Sequence, residues 1–430
     1  MLFRYTQMKK FLLLIAFITT FQASAQDSLI VLHYNLLNFG NYTSYCNNSN
    51  NNHLTKEGYL KTILKYSRPD IFTVNEISRI SSYHDRILNN VLNSTVEGKW
   101  YKRAASTNIA GSDLLNMIYY DTTKLALKAS RVLQSYVRDV NLYTLYYKSI
   151  PTTGDTIFIN CIVAHLKAGS DVSDEISRAT MADNIISRLE NSELPGNYLL
   201  MGDFNLYTAQ EDAYQILTRG SVMFPFYDPV MAEGSWNNNS QFSHVHTQSV
   251  SSTGNGCQSG GGMDDRFDFI LASSQIMNGH EGLRYKQGSY KAIGQDGKHF
   301  NQSITNLPNN SVPTDILNAL GKNSDHLPVQ LVLEVQTEAP GAIDDRQFIH
   351  EAYLRLISDD EAQITLSSSI NSLIDISLFN LAGQLVYNSS CTIIPGTNQI
   401  TIPLHKSRAG FYLLNIRGYK GETITLKLIK

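Results

Sequence analysis

The chain has 430 residues, and 35 lysines and arginines against 38 aspartates and glutamates give it a formal net charge of −3. Hydrophobic residues make up 42% and aromatic residues 10% of the chain, which excludes a wholly disordered protein. The charge balance also excludes a polybasic protein that holds nucleic acid on a strongly positive surface. A chain of this length has room for two or three domains and a large core.

The N terminus has the pattern of a secretory signal peptide. Residues 1–25 combine a basic start, an apolar run over 11–18 and a small-residue ending at Ala25. The apolar run is shorter than the roughly 20 residues that a membrane-spanning helix requires. We therefore expect the signal to be removed and the mature protein to pass through the periplasm, with an uncleaved anchor as the alternative.

Residues 26–336 alternate apolar strand-like runs with helical segments. The spacing of apolar residues predicts helices over 56–66 and 173–189, the second with Ile176 in its apolar stripe. Short apolar runs predict strands at 29–35, 70–76, 117–120, 157–165, 198–202, 267–271 and 328–335. This alternation predicts one α/β or α+β sandwich domain, in which the asparagine-rich run 47–52 and the glycine cluster 259–262 are loops.

The region after residue 336 has a different pattern. Residues 337–352 are predicted to be a linker. Apolar residues with a period of two predict strands at 363–367, 374–379, 384–387, 399–403, 411–416 and 422–427. We therefore expect residues 353–430 to form a small β-sandwich, and we see no cluster of catalytic residue types in it.

The four cysteines bear on export, because disulfides persist in oxidising compartments. Cys161 lies in an apolar strand and is predicted to be a free thiol in the core, whereas Cys391 lies in the C-terminal region. Cys46 and Cys257 lie in polar loops and could form a disulfide, but sequence alone does not fix the connectivity.

Polar side chains that could perform chemistry lie where predicted strands begin or end. They are Asn35, Glu76, His165, Asp203, Asn205, Asp268, Asp325 and His326. Asp203 and Asn205 share a face because they are two residues apart in an extended segment. Asp268 lies between two phenylalanines and needs a partner, since an unpaired buried charge is costly. Taken singly, each has an ordinary explanation as a turn former, a core histidine or an ion-pair partner.

Taken in order, these residues resemble the endonuclease/exonuclease/phosphatase superfamily, to which deoxyribonuclease I belongs. The specific motifs are Gly-Asp203-Phe-Asn205 and Ser-Asp325-His326. The other members, in chain order, are Asn35, Glu76, His165 and Asp268. The resemblance covers about residues 29–335 and implies a four-layered α/β sandwich of two packed mixed sheets flanked by helices. It places the site at one edge of the two sheets.

The resemblance implies a divalent cation at this site. Glu76 would bind the cation, with Asn35 and Asp325 beside it. Carboxylate oxygens and water suit Mg²⁺, and Mn²⁺ or Ca²⁺ are alternatives. The bound ion would supply the local positive charge that the chain's composition lacks, so a polyanionic substrate is not excluded.

The resemblance also implies how a phosphoester would be hydrolysed. His326, oriented by Asp268, would act as the general base on water, and Asp203 would position that nucleophile. His165 and Asn205 would hydrogen-bond the phosphoryl oxygens as charge develops. In-line attack would then cleave the P–O bond.

Two details depart from a complete match. Deoxyribonuclease I pairs its counterpart of His165 with a further glutamate, and only Asp113 stands as a candidate for that partner here. His244 and His246 are two residues apart and could be zinc ligands, although loop residues without a special role are the simpler interpretation.

The C-terminal region resembles the sorting domain of the bacterial type IX secretion system. The resemblance covers about residues 355–430, and its motifs lie at 378–386, 409–416 and 427–430. It implies export across the outer membrane, often followed by removal of the domain. A plain binding or adhesion sandwich is the alternative.

These features lead to one predicted function with two alternatives. We expect a secreted, divalent-metal-dependent phosphoesterase, in the first place an endonuclease that hydrolyses phosphodiester bonds. A phosphatase or phospholipid phosphodiesterase of the same fold is the next alternative, and a non-enzymatic surface-binding protein is the last. The expected partners are a phosphodiester such as DNA or RNA and the type IX machinery, bound by a monomeric chain without stable membrane insertion.

Overall fold

The computed structural model describes residues 27–148, 156–336, 349–368, 371–405, 408–418 and 423–430. The predicted signal peptide, residues 1–25, and residues 337–348 of the predicted linker lie outside the described residues. Among the helices that are described, none is both long enough and apolar enough to cross a membrane.

The first unit covers the described residues between 27 and 336. Its strands are β1 (Ser28–Phe39), β2 (Ile71–Ser78), β3 (Tyr101–Arg103), β4 (Leu114–Asp121), β5 (Leu125–Gln134), β6 (Val140–Tyr147), β7 (Phe158–His165), β8 (Tyr198–Asp203), β9 (Phe226–Tyr227), β10 (Asp268–Ser273), β11 (Leu283–Tyr285), β12 (Lys291–Ala292) and β13 (Val329–Val335). Its helices are α1 (His53–Ser67), α2 (Ser81–Arg86), α3 (Asn93–Thr95), α4 (Val172–Ser192), α5 (Asp212–Arg219), α6 (Ser274–Asn278) and α7 (Thr314–Asn323). A π-helical turn, Ile87–Leu92, joins α2 to α3, and a 3-10 helix covers Ser240–Val245.

The strands of this unit form two mixed sheets. Sheet A has the order β11-β13-β1-β2-β4-β3, with β12 also paired to β13, and sheet B has the order β5-β6-β7-β8-β10-β9. The β1–β2 and β7–β8 pairs are parallel, and their neighbours in each sheet are antiparallel. A parallel pair brings two carboxyl ends to one sheet edge, where ligands commonly bind in α/β folds.

The two sheets pack face to face between layers of helices. Strands β1 and β2 of sheet A contact β7, β8 and β10 of sheet B, and α1 packs beside α7. One apolar cluster joins both sheets with α1 and α7, and a second joins sheet B with α4 and α5. The layer order is therefore helices, sheet A, sheet B, helices, which confirms the predicted four-layered sandwich.

The helix predictions differ in quality. The segment predicted at 56–66 lies inside α1. Asn52 caps the N terminus of this helix, because its side chain accepts hydrogen bonds from two backbone N–H groups of the first turn. In α4 the placement of Ile176 is wrong, because that side chain is 62% exposed. Arg178 turns inward instead and pairs with Glu211, while the later turns bury Met181 and their other apolar residues.

The second unit is a β-sandwich. Its strands are β14 (Ile349–Ser358), β15 (Glu361–Ser368), β16 (Ser372–Asn380), β17 (Leu385–Ile393), β18 (Gly396–Pro403), β19 (Phe411–Gly418) and β20 (Thr423–Ile429). They form sheets of order β14-β15-β18 and β17-β16-β19-β20, with a separate apolar core between them. The predicted linker, 337–352, is too long at its C-terminal end, because β14 already begins at Ile349.

Candidate active site

Strand register places several of the predicted site residues at one edge of the two sheets. The parallel pairing of β7 with β8 puts His165 beside Asp203, and the antiparallel pairing of β8 with β10 puts Asp203 beside Asp268. In sheet A, Asn35 and Glu76 lie near the carboxyl ends of the parallel strands β1 and β2. The sequence places these residues together because each lies at the end of a buried apolar run, or at its start in the case of Asp268, and that run fixes its strand.

Asn35 links the two sheets. Its Nδ2 donates to Oε1 of Glu76 at 3.0 Å and to Oδ2 of Asp203 at 2.9 Å. Its Oδ1 accepts from the backbone N of Leu37 at 2.9 Å. The side chain therefore presents its NH₂ group to the two carboxylates, and its predicted place beside a metal stays a prediction that requires the amide to turn over.

The backbone aims Glu76 into the site. The β2–β4 register shifts between Val74 and Ile77, and Glu76 itself has a φ of +58°, a conformation that is rare for residues other than glycine. The backbone N of Asn38 donates to Oε2 of Glu76 at 3.0 Å. A strained backbone conformation of this kind persists where surrounding contacts stabilise it. Here it directs the Glu76 carboxylate toward sheet B.

Glu76, His165 and Asp203 converge closely enough to hold a metal ion. Each offers a ligand atom within 4.8 Å of the others, and His165 Nε2 lies 3.5 Å from Oδ2 of Asp203. This trio shares only Glu76 with the predicted ligand set of Asn35, Glu76 and Asp325. The distances make His165 and Asp203 further candidates for contact with a cation.

Asp325 has a carboxylate oxygen without a partner. Its Oδ2 accepts from the backbone N of Ser259 at 3.0 Å. Its Oδ1 is buried and makes no hydrogen bond within the described part of the chain, and it lies 3.9 Å from Nε2 of His326. Leaving a charged oxygen unsatisfied is costly, so this atom fits a site that receives a cation.

His326 is held between a carboxylate and two amides. Its Nδ1 lies 2.7 Å from Oδ2 of Asp268, which gives that buried acid the partner its position requires. The NH₂ groups of Gln248 and Asn35 face its Nε2, at 2.8 and 3.5 Å. Two donors around Nε2 favour the neutral tautomer with its hydrogen on Nδ1 and a lone pair on Nε2.

The surrounding charges set the proton affinity of this histidine. Burial alone would lower the pKa of His326, but Asp268, Asp203 and Asp325 together raise it well above its ordinary value. Without a cation these acids therefore favour the protonated ring, in which the Gln248 amide would present its oxygen to Nε2. A cation bound beside Asp325 would offset their charge and favour the neutral ring, whose lone pair on Nε2 is what a general base needs.

Asp203 is a buried acid of the site, as Asp268 is. Burial raises its pKa, His326 opposes that shift, and the negative charges of Asp268 and Glu76 add to it. The backbone N of Asn205 donates to Oδ1 of Asp203 at 3.0 Å, and Asn205 Nδ2 lies 3.3 Å from the Leu166 carbonyl. A cation beside Asp203 would favour its charged form.

Two positioning residues, Asn116 and Gln248, were missed by the sequence analysis. Asn75 accepts from the backbone N of Asp203 at 2.8 Å and donates to Asn116, whose Nδ2 reaches the Val163 carbonyl at 3.1 Å. An asparagine inside the apolar run 114–118 was the available signal for this link between the sheets. Gln248 carried no comparable signal, because its loop has no strand period.

Two alternatives raised by the sequence are wrong. Asp113 forms an ion pair with Arg79, and its side chain is 71% exposed, so it is not the partner of His165. His246 is buried, with Nδ1 at 3.3 Å and Nε2 at 2.9 Å from two backbone carbonyl oxygens. Both ring nitrogens are engaged in this way, which excludes the zinc pair of His244 and His246 in this conformation.

The cysteine connectivity is now settled. Cys46 and Cys257 form a disulfide with a Cα–Cα distance of 4.6 Å. Cys161 is a buried free thiol, as predicted, and Cys391 is also free. The run 47–52 is more than a solvated loop, because Asn51 is buried and its side chain bonds to the end of β1.

Solved structures similar to the chain share little sequence with it. An endonuclease/exonuclease/phosphatase from Bacteroides vulgatus is 14% identical, with 72% of this chain and 100% of its own covered and a TM-score of 0.45. A mannosyl-6-phosphatase from Bacteroides thetaiotaomicron is 16% identical over 71% and 99%, with a TM-score of 0.41. D. rerio TDP2 in complex with a single-strand DNA product is 12% identical over 72% and 99%, with a TM-score of 0.43. No curated protein matches the chain at a significant level.

A family model matches the C-terminal unit. Residues 358–430 match the family described as "Secretion system C-terminal sorting domain". The matched segment contains β15 to β20 and begins at the last residue of β14. The predicted sorting domain is thereby confirmed, and the chain is a protein secreted to the cell surface or the extracellular space.

Proposed function

We propose that the first unit is a divalent-metal-dependent phosphoesterase that hydrolyses phosphodiester bonds, in the first place as an endonuclease. One observation carries this proposal: the Asp268–His326 pair lies beside a group of further carboxylates at the shared sheet edge. A binding module has no need of a buried acid that orients a base. Phosphoester hydrolysis needs both a base for water and positive charge for the phosphate.

The donor set fits a hard divalent cation. Glu76, Asp203 and Asp325 bring three carboxylates together, and the cationic side chains that act on them from nearby include the buried Lys56 and the half-buried Arg138. Glu76 and Asp325 would hold the ion, since oxygen ligands suit Mg²⁺, Mn²⁺ and Ca²⁺. The ion would act as a Lewis acid on a phosphoryl oxygen.

The chain's own residues divide the remaining work. His326 Nε2 would take a proton from the attacking water, and Asp268 would stabilise the imidazolium that forms. Asp203 Oδ2 lies 3.8 Å from Nε2 of His326, and a water between them would be positioned by both groups. His165 and Asn205 would hydrogen-bond the phosphoryl oxygens as negative charge develops on them. The ester P–O bond would break as the water oxygen bonds to phosphorus.

The charge of the chain favours a second candidate substrate class. A formal net charge of −3 gives no general attraction to a long polyanion, and the affinity of nucleic-acid binders depends strongly on such attraction. A phosphatase or phospholipid phosphodiesterase of the same fold would not need it. We therefore keep these activities as the alternative to an endonuclease.

A substrate panel tests the proposal. The purified chain is incubated with DNA, RNA, sphingomyelin and a phosphomonoester, each with Mg²⁺, Mn²⁺, Ca²⁺ or a chelator. We expect metal-dependent cleavage, lost upon chelation and reduced about 10²–10⁴-fold in His326→Ala, because the general base is removed. The exposed His244 in the 3-10 helix provides the matched control, and His244→Ala should retain wild-type activity.

Three outcomes separate the levels of the proposal. No cleavage of any substrate with any metal, or full activity in His326→Ala, contradicts the phosphoesterase assignment. Cleavage of the phosphomonoester alone contradicts the endonuclease and favours the phosphatase. Activity that survives complete chelation contradicts the metal requirement.

A further inference from the structure

Two loops beside the site are joined by a disulfide that the proposed chemistry does not use. The first loop (residues 40–52) connects β1 to α1, and the second loop (residues 249–262) precedes β10. Besides the Cys46–Cys257 bond, Asn50 and Asn255 join the loops, each donating its side-chain amide to the other's carbonyl, at 3.3 and 3.1 Å. These two hydrogen bonds are exposed, so the covalent bond is the strong connection between the loops.

The first loop holds the segment that fixes Glu76. Asn51 Nδ2 donates to the carbonyls of Leu37 and Asn38, both at 3.1 Å. The backbone N of Asn38 then donates to Oε2 of Glu76. The buried Lys56 Nζ completes this support, at 2.7 Å from both the Leu37 carbonyl and Oδ1 of Asn51. A movement of the first loop is therefore transmitted to Glu76 through the end of β1.

The second loop holds Asp325. Gln258 Nε2 donates to the Ser324 carbonyl at 3.1 Å, and the backbone N of Ser259 donates to Oδ2 of Asp325 at 3.0 Å. These contacts come one and two residues after Cys257. The disulfide thus joins, through short paths, the supports of the two carboxylates assigned to the metal in the proposed function.

We propose that the Cys46–Cys257 disulfide is a positioning element that completes the metal site only after the chain has been oxidised. The inference rests on the proposed function, because it concerns the geometry of Glu76 and Asp325. Two S–H bonds break and one S–S bond forms, and the two protons and two electrons pass to a thiol–disulfide oxidant. Such oxidants act in the compartments that a secreted protein enters, whereas cytosolic thiols stay reduced.

The disulfide joins two loops that are far apart in the sequence. Its two cysteines are 211 residues apart in the chain, and neither loop has regular secondary structure around its cysteine. Loops without regular structure lose their geometry more easily than strands do, so the two carboxylates would separate first when the bond is absent. The reduced chain would keep its sheets and lose metal affinity.

The test measures Mn²⁺ binding directly, through the electron paramagnetic resonance signal of the free ion, on the oxidised and reduced chain. We expect reduction, or the double change Cys46→Ser and Cys257→Ser, to weaken Mn²⁺ affinity about tenfold or more, and reoxidation of the wild type to restore it. Amide hydrogen exchange without metal should increase in the two loops and at the end of β1, and stay unchanged in residues 28–35 of β1 and in β8. Cys391→Ser is the control for unspecific effects on thiols.

A second pair of variants keeps the disulfide intact. Ser259→Pro removes the N–H that reaches Asp325 and should weaken Mn²⁺ binding, whereas Ser259→Ala keeps that N–H and should bind like the wild type. This pair tests whether the second loop positions Asp325, and reduction of the wild-type chain tests the disulfide if the double serine variant fails to fold. Equal Mn²⁺ affinity in oxidised and reduced chain overturns the positioning role. An oxidised wild type that binds no Mn²⁺ and cleaves no substrate instead overturns the proposed function.

Discussion

Asn35 shows how one neutral side chain can organise an acidic site. Its NH₂ group contacts a carboxylate from each sheet, Glu76 from sheet A and Asp203 from sheet B. The two acids are therefore held close together without a cationic side chain between them. Because the amide carries no charge, the negative charge of the acids is left for a cation to neutralise.

Asp268→Asn is the single substitution that tests most directly whether the buried acid orients His326. The amide would present an NH₂ group or an oxygen to His326 Nδ1, and presenting the NH₂ favours the tautomer that has lost its lone pair on Nε2. We expect kcat to fall about 10²–10⁴-fold with little change in KM, since Asp268 is buried behind the ring. Steady-state kinetics on the substrate found in the panel measure both constants.

The matched control is Asp113→Asn, which removes an exposed acid that pairs with Arg79. It should leave kcat and KM unchanged. Wild-type kcat in Asp268→Asn would show that the acid is only a structural partner of the histidine. A urea unfolding curve for each variant ensures that the rates refer to folded protein.

In the β-sheets, the backbone of β7 leaves no room for a side chain at Gly202 in β8. A Cβ on Gly202 would lie 1.7 Å from the carbonyl oxygen of Ala164 in β7, and backbone cannot yield as a flexible side chain can. Gly202→Ala should therefore destabilise the fold by about 3 kcal/mol or more. The free energy of unfolding in urea measures the loss, and activity should fall with it because Asp203 follows directly.

The control for this change is a glycine with space around it. Gly58 lies within α1, and a Cβ there would meet no atom within 4 Å. Gly58→Ala should stabilise the protein by about 0.5–1 kcal/mol through helix propensity. If the two alanine variants unfolded at the same urea concentration, the close contact between β7 and β8 would not be the reason for the glycine.

The sequence predicted those elements whose burial produces a regular pattern of apolar residues. The central strands β1, β2, β7 and β8 were found because both faces are covered and their residues form apolar runs. The edge strand β5 was missed, since Arg131 and other polar residues interrupt its period. Of the site, the strand-end acids and histidines were predictable, whereas Gln248 and Ser259 act from loops whose contacts only the tertiary fold determines.

Two features from different parts of the molecule agree on its compartment. The C-terminal unit matches a secretion sorting domain, and the first unit contains a disulfide next to the proposed active site. A disulfide is stable outside the cytoplasm, so the exported protein meets the conditions in which the bond forms. Because export and assembly of the site would then be coupled, hydrolysis inside the producing cell would be limited.

The division of labour between the units predicts the effect of a truncation. Deletion of residues 349–430 removes the whole sandwich from the first residue of β14, whereas a deletion from 353 would leave part of that strand. We expect the shortened chain to accumulate inside the outer membrane, since the segment matching the sorting domain is gone. Fractionation of the producing cells and their medium, followed by immunodetection, measures the distribution.

The activity of the shortened chain distinguishes sorting from a catalytic contribution. All the proposed site residues lie in the first unit, which has its own two apolar clusters, so the truncated protein should hydrolyse substrate at the wild-type rate per molecule. In the reciprocal experiment, residues 349–430 fused to an unrelated exported protein should carry it to the surface or the medium. Unchanged release of the truncated chain would contradict the sorting role, and a lost activity would show that the sandwich also supports the site.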